Sequence, residues 1–206
     1  MSGPRVLLLG VGNLLWADEG FGVRCIEAFD AAYELPAEVE LMDGGTQGLY
    51  LVHHIGAAER VIVFDAVDFG AAPGTLMVVR DDDVPRFIAS SKMSLHQAGV
   101  SDVLACADLL GRKPAQITVI GAQPVELEDY GGSLTPTIRA LLPRALALAV
   151  AELRAWGIEV RPRQQPHAGV LPQGLSLHAY EQGRPSAEQA ARHGDDRVLA
   201  RAHWVG

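Results

Sequence analysis

The chain has 206 residues, of which 49% are hydrophobic and 20% charged, and this composition predicts one globular domain with a sizeable core. A formal net charge of −8 argues against a protein that binds nucleic acid, because phosphate backbones require clustered Lys and Arg. The two cysteines, Cys25 and Cys106, form neither a disulfide framework nor a zinc motif, so we expect reduced thiols and a cytoplasmic protein.

Short apolar runs rich in Val, Ile and Leu predict five buried β-strands. In chain order they cover residues 6–9, 39–42, 61–64, 76–79 and 117–120. Helical periods separate most of them, as at Val23, Ile26 and Phe29, which is typical of an α/β layer fold. Residues 66–75 are too few for a helical crossover. We therefore predict a three-layer fold, with helices on both faces of a twisted, mostly parallel five-stranded sheet that has one antiparallel edge strand.

The last predicted helix is bounded by clear signals. Thr135 suits its N-cap, Pro136 its first turn, and Gly157 follows the last periodic residue. Charged residues and Pro143 interrupt this apolar stretch, so membrane insertion is not expected. Beyond Gly157 the chain loses periodicity and gains Pro, Gln, Arg and Gly. We predict a domain over residues 1–157 and a flexible tail over residues 158–206.

Polar residues collect just beyond the predicted strands, where open α/β sheets bind ligands. In chain order they are Asn13, Asp18, Glu19, Asp43, Asp65, Asp68, His96, Gln123, Glu126 and Asp129. This pattern predicts a functional site along one rim of the sheet.

A nucleotide-binding loop is the first interpretation to test, since Gly10 and Gly12 open a GxGxxG pattern. Leu15 occupies the position of the third glycine, and Asp43 lies too far along the chain to bind a ribose, so the pattern is incomplete. A small nucleotide-dependent enzyme is therefore disfavoured.

A metal site fits the rim better. Glu19, Asp65 and His96 offer two oxygens and one nitrogen, a set that Zn²⁺ or Ni²⁺ accepts. Plainer roles stay open for each residue. Glu19 suits any helix N-terminus, Asp18 suits a helix cap, and His96 alone would be an ordinary loop residue. Asp65 follows an apolar strand, where a buried carboxylate needs a partner.

Several blocks of the sequence resemble, in the same order, those of the [NiFe]-hydrogenase maturation endopeptidases. The blocks are residues 10–23, 42–48, 65–70, 94–97 and 121–124 together with 129–134. The resemblance covers residues 5 to about 155 and excludes the predicted tail.

The resemblance implies an endopeptidase that removes the C-terminal extension of a [NiFe]-hydrogenase large-subunit precursor after nickel insertion. It also implies that Glu19, Asp65 and His96 are both metal ligands and catalytic residues. The expected ion is the nickel of the substrate, and Zn²⁺ or Cd²⁺ could replace it in vitro. Contacts of Asp43, Gln123 and Asp129 with the substrate are expected in the cleft.

Two questions stay open at the level of sequence. Such enzymes are often classed as aspartic-type, so Asp65 or Glu19 could instead act as a general base. The same residues would also suit a non-catalytic, nickel-dependent accessory protein of the large subunit.

Overall fold

The computed structural model of the chain describes residues 6–90, 98–165 and 169–184. Its central sheet confirms all five predicted strands. They are β1 (Val6–Val11), β3 (Val39–Gly45), β4 (Arg60–Ala66), β5 (Leu76–Arg80) and β6 (Gln116–Ala122). Their spatial order is β3-β1-β4-β6-β5. Only β5 runs antiparallel to its neighbour in this sheet, and it lies at one edge, as predicted from its short connection to β4.

Helices cover both faces of the sheet. They are α1 (Phe21–Ala32), α2 (Leu51–Ala57), α3 (Asp83–Ser90), α4 (Ala98–Leu109), α5 (Pro136–Arg139), α6 (Leu142–Ala155) and α7 (Leu177–Gly183). Side chains alternate along β1, so Leu8 packs in a core with α1 and α6 while Leu7 and Leu9 pack with α2 and α4. Both cores are apolar, which confirms the predicted three-layer α/β fold.

The predicted final helix is two helices in the structure. Thr135 does cap α5, since its hydroxyl accepts a hydrogen bond from the Ile138 amide. A continuous helix would place the ring of Pro143 against the carbonyl group four residues earlier, at Arg139. The chain therefore ends α5 at Arg139 and begins α6 at Leu142, with Pro143 in its first turn, where a missing N–H costs nothing.

A second, two-stranded sheet pairs β2 (Tyr33–Glu34) with β7 (Arg161–Pro162) in antiparallel fashion. Strands of two residues carry no periodic pattern, so the sequence analysis missed them. This pairing joins the chain beyond Gly157 to the end of α1. The Arg163 side chain strengthens the connection by donating to the backbone carbonyls of Asp30 and Tyr33.

Part of the predicted tail contacts the domain. Residues 169–184 form a 3₁₀ turn (Gln173–Leu175) and α7, and Leu171 among them is buried. The predicted boundary at Gly157 and the flexibility of residues 158–206 stay predictions. Among the residues that the structure describes, no helix is both long and apolar enough to cross a membrane.

Candidate active site

The turn between β1 and α1 places Glu19 above the sheet, and glycines make this placement possible. A Cβ atom on Gly22 would overlap the backbone carbonyl oxygens of Phe64 and Val11, so α1 begins in direct contact with β1 and β4. A Cβ atom on Gly12, which has φ +133°, would overlap the carbonyl oxygen of Glu19. These glycines therefore serve close packing of the backbone rather than phosphate binding.

The residues just before Glu19 adopt a strained conformation. Ala17 begins a 3₁₀ turn (Ala17–Gly20) and has φ 41°, in the left-handed region that non-glycine residues rarely adopt. Two backbone hydrogen bonds hold the turn in place: the Glu19 amide donates to the Trp16 carbonyl (2.9 Å), and the Asn13 amide donates to the Glu19 carbonyl (3.2 Å). Strain of this kind is concentrated at functional sites.

Asp65 lies near the end of β4, next to Gly121 of β6, and its side chain is buried. Burial raises its pKa well above the ordinary value, and the nearby charge of Glu19 raises it further, against the opposing effect of a hydrogen bond from the Ala66 amide. The structure therefore brings Glu19 and Asp65 close enough to repel each other. We call these two residues the acidic pair.

The acidic pair suits a divalent cation, because a positive ion would offset both the burial and the mutual repulsion of two carboxylates. The third predicted ligand, His96, lies outside the described residues. Within the parts of the chain that the structure describes, no three His, Cys, Asp or Glu residues are grouped to hold a metal ion. The three-residue site therefore stays a prediction, and two of its members are neighbours.

Asp18 is a buried anchor and not a helix cap, so the cap interpretation is wrong. Its side chain is 0% exposed. Oδ2 accepts hydrogen bonds from the amides of Val125 (2.9 Å) and Glu126 (3.0 Å), and Oδ1 accepts one from the amide of Thr135 (2.7 Å). The Thr135 hydroxyl also donates to Oδ2 (3.1 Å). Asp18 thus fixes residues 123–135, here called the rim loop, beside the acidic pair.

Gln123, predicted to bind substrate, is buried and organises the connection between β4 and β5. Its Oε1 accepts from the amides of Phe69 (3.0 Å) and Ala71 (3.2 Å), and its Nε2 donates to the Asp68 carboxylate (3.0 Å). The side-chain amide of Gln123 therefore holds residues 68–71 in place. Contact with a substrate stays a prediction for this residue.

Asp43 lies in β3, in register with Gly10 of β1, and is half-buried. Its Oδ1 accepts a hydrogen bond from the Gly45 amide (2.9 Å). Burial raises its pKa, whereas this hydrogen bond and the charge of Arg24 lower it. A half-exposed carboxylate on the same rim as Glu19 fits the predicted contact with a substrate, which remains untested.

The rim also carries exposed apolar side chains, which the sequence analysis did not single out. Leu15 is 42% exposed, Val125 48% and Tyr130 46%. Leu15 and Tyr130 lie close together, since the Trp16 and Tyr130 rings meet edge to face with their centres 5.2 Å apart and the Gly131 amide donates to the Leu15 carbonyl. Val125 belongs to the same rim loop as Tyr130. Asp129 is half-buried nearby, just before Tyr130. Exposed apolar groups beside an acidic pair suit a polypeptide ligand.

An α/β sheet that carries an acidic pair and exposed apolar side chains on one rim suits a hydrolase that acts on a polypeptide. The family model for hydrogenase maturation proteases matches residues 23–152. The hydrogenase expression/formation protein HupD of Rhodobacter capsulatus is 57% identical over 201 residues, which are 98% of this chain and 96% of that protein. The hydrogenase 2 maturation protease of Escherichia coli K12 is 43% identical over 164 residues, 79% of this chain and 99% of that protein.

Solved structures agree with the sequence comparisons. The hydrogenase maturating endopeptidase HybD from E. coli superimposes with a TM-score of 0.73 at 42% identity, over 77% of this chain and 98% of that one. The chain belongs to the hydrogenase maturation protease family, which confirms the resemblance read from the sequence. Its enzyme class is therefore that of a hydrogenase maturation endopeptidase, a hydrolase of peptide bonds.

Proposed function

We propose that the chain is the endopeptidase that removes the C-terminal extension of a [NiFe]-hydrogenase large-subunit precursor once nickel is in place. The observation that carries the proposal is the acidic pair in a chain of this protease family, with Asp65 near the end of β4 and Glu19 in the turn that follows β1. The apolar rim beside the pair offers a surface on which the extended C-terminal segment of a precursor would bind.

We propose that Glu19, Asp65 and His96 bind the nickel that the precursor already carries. Two carboxylates and an imidazole form a donor set that Ni²⁺ and Zn²⁺ accept, so Zn²⁺ or Cd²⁺ would replace nickel in vitro. The raised pKa of Asp65 supports this role, because the folded protein disfavours its charge until a cation arrives. Recognition of nickel would then restrict cleavage to precursors that have received their metal.

The chain's own residues supply the positioning in this scheme. Nickel held by Glu19, Asp65 and His96 would supply Lewis-acid polarisation of a carbonyl group. Asp18 holds the rim loop in place through its buried carboxylate, and Gln123 holds residues 68–71. Asp43 and Asp129 are proposed to contact the precursor on either side of the acidic pair. Such positioning contributes to catalysis by fixing the scissile bond near the reacting groups.

An aspartic-type reaction is the second version of the chemistry that this site supports. Two neighbouring carboxylates that share a proton would let one act as a general base and the other as an acid. The raised pKa of Asp65 beside Glu19 is compatible with that arrangement. The two versions differ in one respect, because an aspartic-type site cleaves the precursor whether or not it contains nickel.

Incubation of the chain with nickel-loaded and nickel-free precursor tests the proposal, with loss of the C-terminal peptide measured by mass spectrometry. We expect cleavage of the nickel-loaded precursor only, and none by Asp65→Asn or His96→Ala. Asp102→Asn, at an exposed position of α4, is the matched control and should cleave like the wild type.

The other outcomes separate the alternatives. A stable complex without loss of the peptide would identify a non-catalytic accessory protein. Equal cleavage of both precursors would support the protease activity and refute nickel-dependent recognition. Full activity in both site variants would end the argument for the three-residue site.

We also propose that the protein acts in the cytoplasm. Cys25 is buried and Cys106 half-buried, and both are free thiols in the structure. The sequence-based expectation that nucleic acid is not a partner stays a prediction.

A further inference from the structure

Residues 169–184, here called the C-terminal segment, complete the environment of a buried charge on α1. Arg24 is only 3% exposed, and its Nη1 donates to the Leu175 carbonyl and to Glu27 Oε2, each at 2.7 Å. Its guanidinium group lies 5.6 Å from the centre of the Tyr180 ring. The Leu177 amide donates to the other oxygen of Glu27 (2.8 Å). A buried Arg needs such partners, so the segment is docked on α1 by specific contacts.

The same segment holds the rim loop from outside. The Tyr180 hydroxyl donates to the Gly132 carbonyl (3.3 Å), and the Ser133 hydroxyl donates to Glu181 Oε1 (2.9 Å). Arg139, which follows the rim loop in α5, binds both Glu181 oxygens, at 3.0 and 3.1 Å. A bidentate contact of this kind fixes the relative orientation of the two side chains as well as their distance. The rim loop is therefore held by Asp18 on its inner side and by α7 on its outer side.

We propose that the C-terminal segment is a positioning element that sets how tightly the active site binds its precursor. It joins α1, which begins next to Glu19, to the loop that carries the exposed Tyr130 and Val125. A shift of that loop would move the apolar rim relative to the acidic pair. The inference rests on the proposed function, since it requires a polypeptide precursor as ligand.

The comparisons are compatible with a role of the segment in specificity. The family model ends at residue 152, before the C-terminal segment begins. The match with HupD of R. capsulatus covers 98% of this chain and thus includes the segment. About a fifth of this chain lies outside the match with the E. coli protease, which is itself covered to 99%. An element that lies beyond the family model and is shared with HupD suits discrimination between precursors.

A charge exchange in the full-length chain tests the inference. Arg139→Glu and Glu181→Arg each break the contact, and the double variant restores an oppositely charged pair. Because the pair is partly exposed, at 46% and 28%, its loss should leave the melting temperature close to that of the wild type. Arg154→Glu, at an exposed position of α6, is the matched control for the first variant.

Two measurements test the variants: the kinetics of processing of the nickel-loaded precursor, and the hydrogen–deuterium exchange of the rim loop. We expect KM for processing to rise by about tenfold in each single variant, with kcat nearly unchanged. It should return most of the way in the double variant, in which the Ser133 hydroxyl still lacks its carboxylate acceptor. Hydrogen–deuterium exchange of peptides from residues 123–135 should be faster in the single variants and normal again in the double variant.

The outcomes distinguish this inference from the proposed function. An unchanged KM in both single variants, or a double variant that fails to recover, overturns the positioning role while cleavage by the wild type stands. A fall in melting temperature that tracks the loss of activity shows a purely structural contact and overturns it as well. A wild-type chain that leaves the precursor intact refutes the proposed function itself.

Discussion

Replacing Asp18 with Asn would change one oxygen to an NH₂ group and leave the shape of the side chain intact. The amide oxygen is best placed at the position of Oδ2, where it keeps the donors of Val125, Glu126 and the Thr135 hydroxyl. The new NH₂ group then faces the Thr135 amide at 2.7 Å, where two donors meet without an acceptor.

The free energy of unfolding should fall substantially. One hydrogen bond to a charged group, about 1.5–3 kcal/mol, is lost, and a buried N–H left without an acceptor costs about 1–3 kcal/mol more. Relief from burying a charge offsets part of this loss, so we expect a net destabilisation of about 3 kcal/mol. A helix cap would behave differently, because Asn caps helices about as well as Asp.

Urea unfolding followed by circular dichroism measures the change, with Asp102→Asn as the control for the same substitution at an exposed site. The control should stay within about 0.5 kcal/mol of the wild type. A value for Asp18→Asn in that same narrow range would refute the anchor role. Hydrogen–deuterium exchange of the rim-loop amides should also be faster in Asp18→Asn than in the wild type, and unchanged in the control.

Three further predictions concern stability. Because burial raises the pKa of Asp65 in the folded state, the wild type should lose stability as pH rises from about 4 towards that pKa. In chelator-containing buffer, Asp65→Asn should lack this pH dependence and be more stable than the wild type at neutral pH. Parallel pH profiles of the urea midpoint for the two proteins would contradict a raised pKa of Asp65. Ala17→Gly should stabilise the chain by about 1 kcal/mol through relief of its left-handed backbone, and Ala17→Val should destabilise it, as thermal melts can check. Thr118→Val removes the 3.0 Å hydrogen bond from the Thr118 hydroxyl to buried Glu152, so the free energy of unfolding measured in urea should fall by about 1–3 kcal/mol. Thr118→Ser keeps the hydroxyl and should lose much less stability.

Patterns of neighbouring residues in the sequence predicted the central sheet. The apolar runs identified every strand of the central sheet, and the short link before β5 predicted its antiparallel direction. Strand ends then placed Glu19 and Asp65 on one rim, where the structure finds them. The break before α6 was also available from Pro143, whose effect on a helix interior is a local rule.

The remaining features depend on contacts that are distant in sequence. Asp18 reaches partners 107 to 117 residues away, so its role as an anchor left no pattern near Asp18 itself. Glu181 meets Ser133 across 48 residues, from a stretch whose composition resembled a tail. The position of His96 lies outside the described residues, and its place in the site stays a prediction.

The distance in sequence between α1 and the C-terminal segment has a consequence for how the chain is made. Arg24 and Leu175 are 151 residues apart, and Glu27 and Leu177 are 150 apart. Because chains emerge from the ribosome N-terminal end first, the sheet and its two cores can assemble before these partners exist. The rim loop gains its outer support only when α7 has left the exit tunnel. We therefore expect a nascent chain to reach its full affinity for the precursor only after residues 169–184 have been synthesised and have left the ribosome.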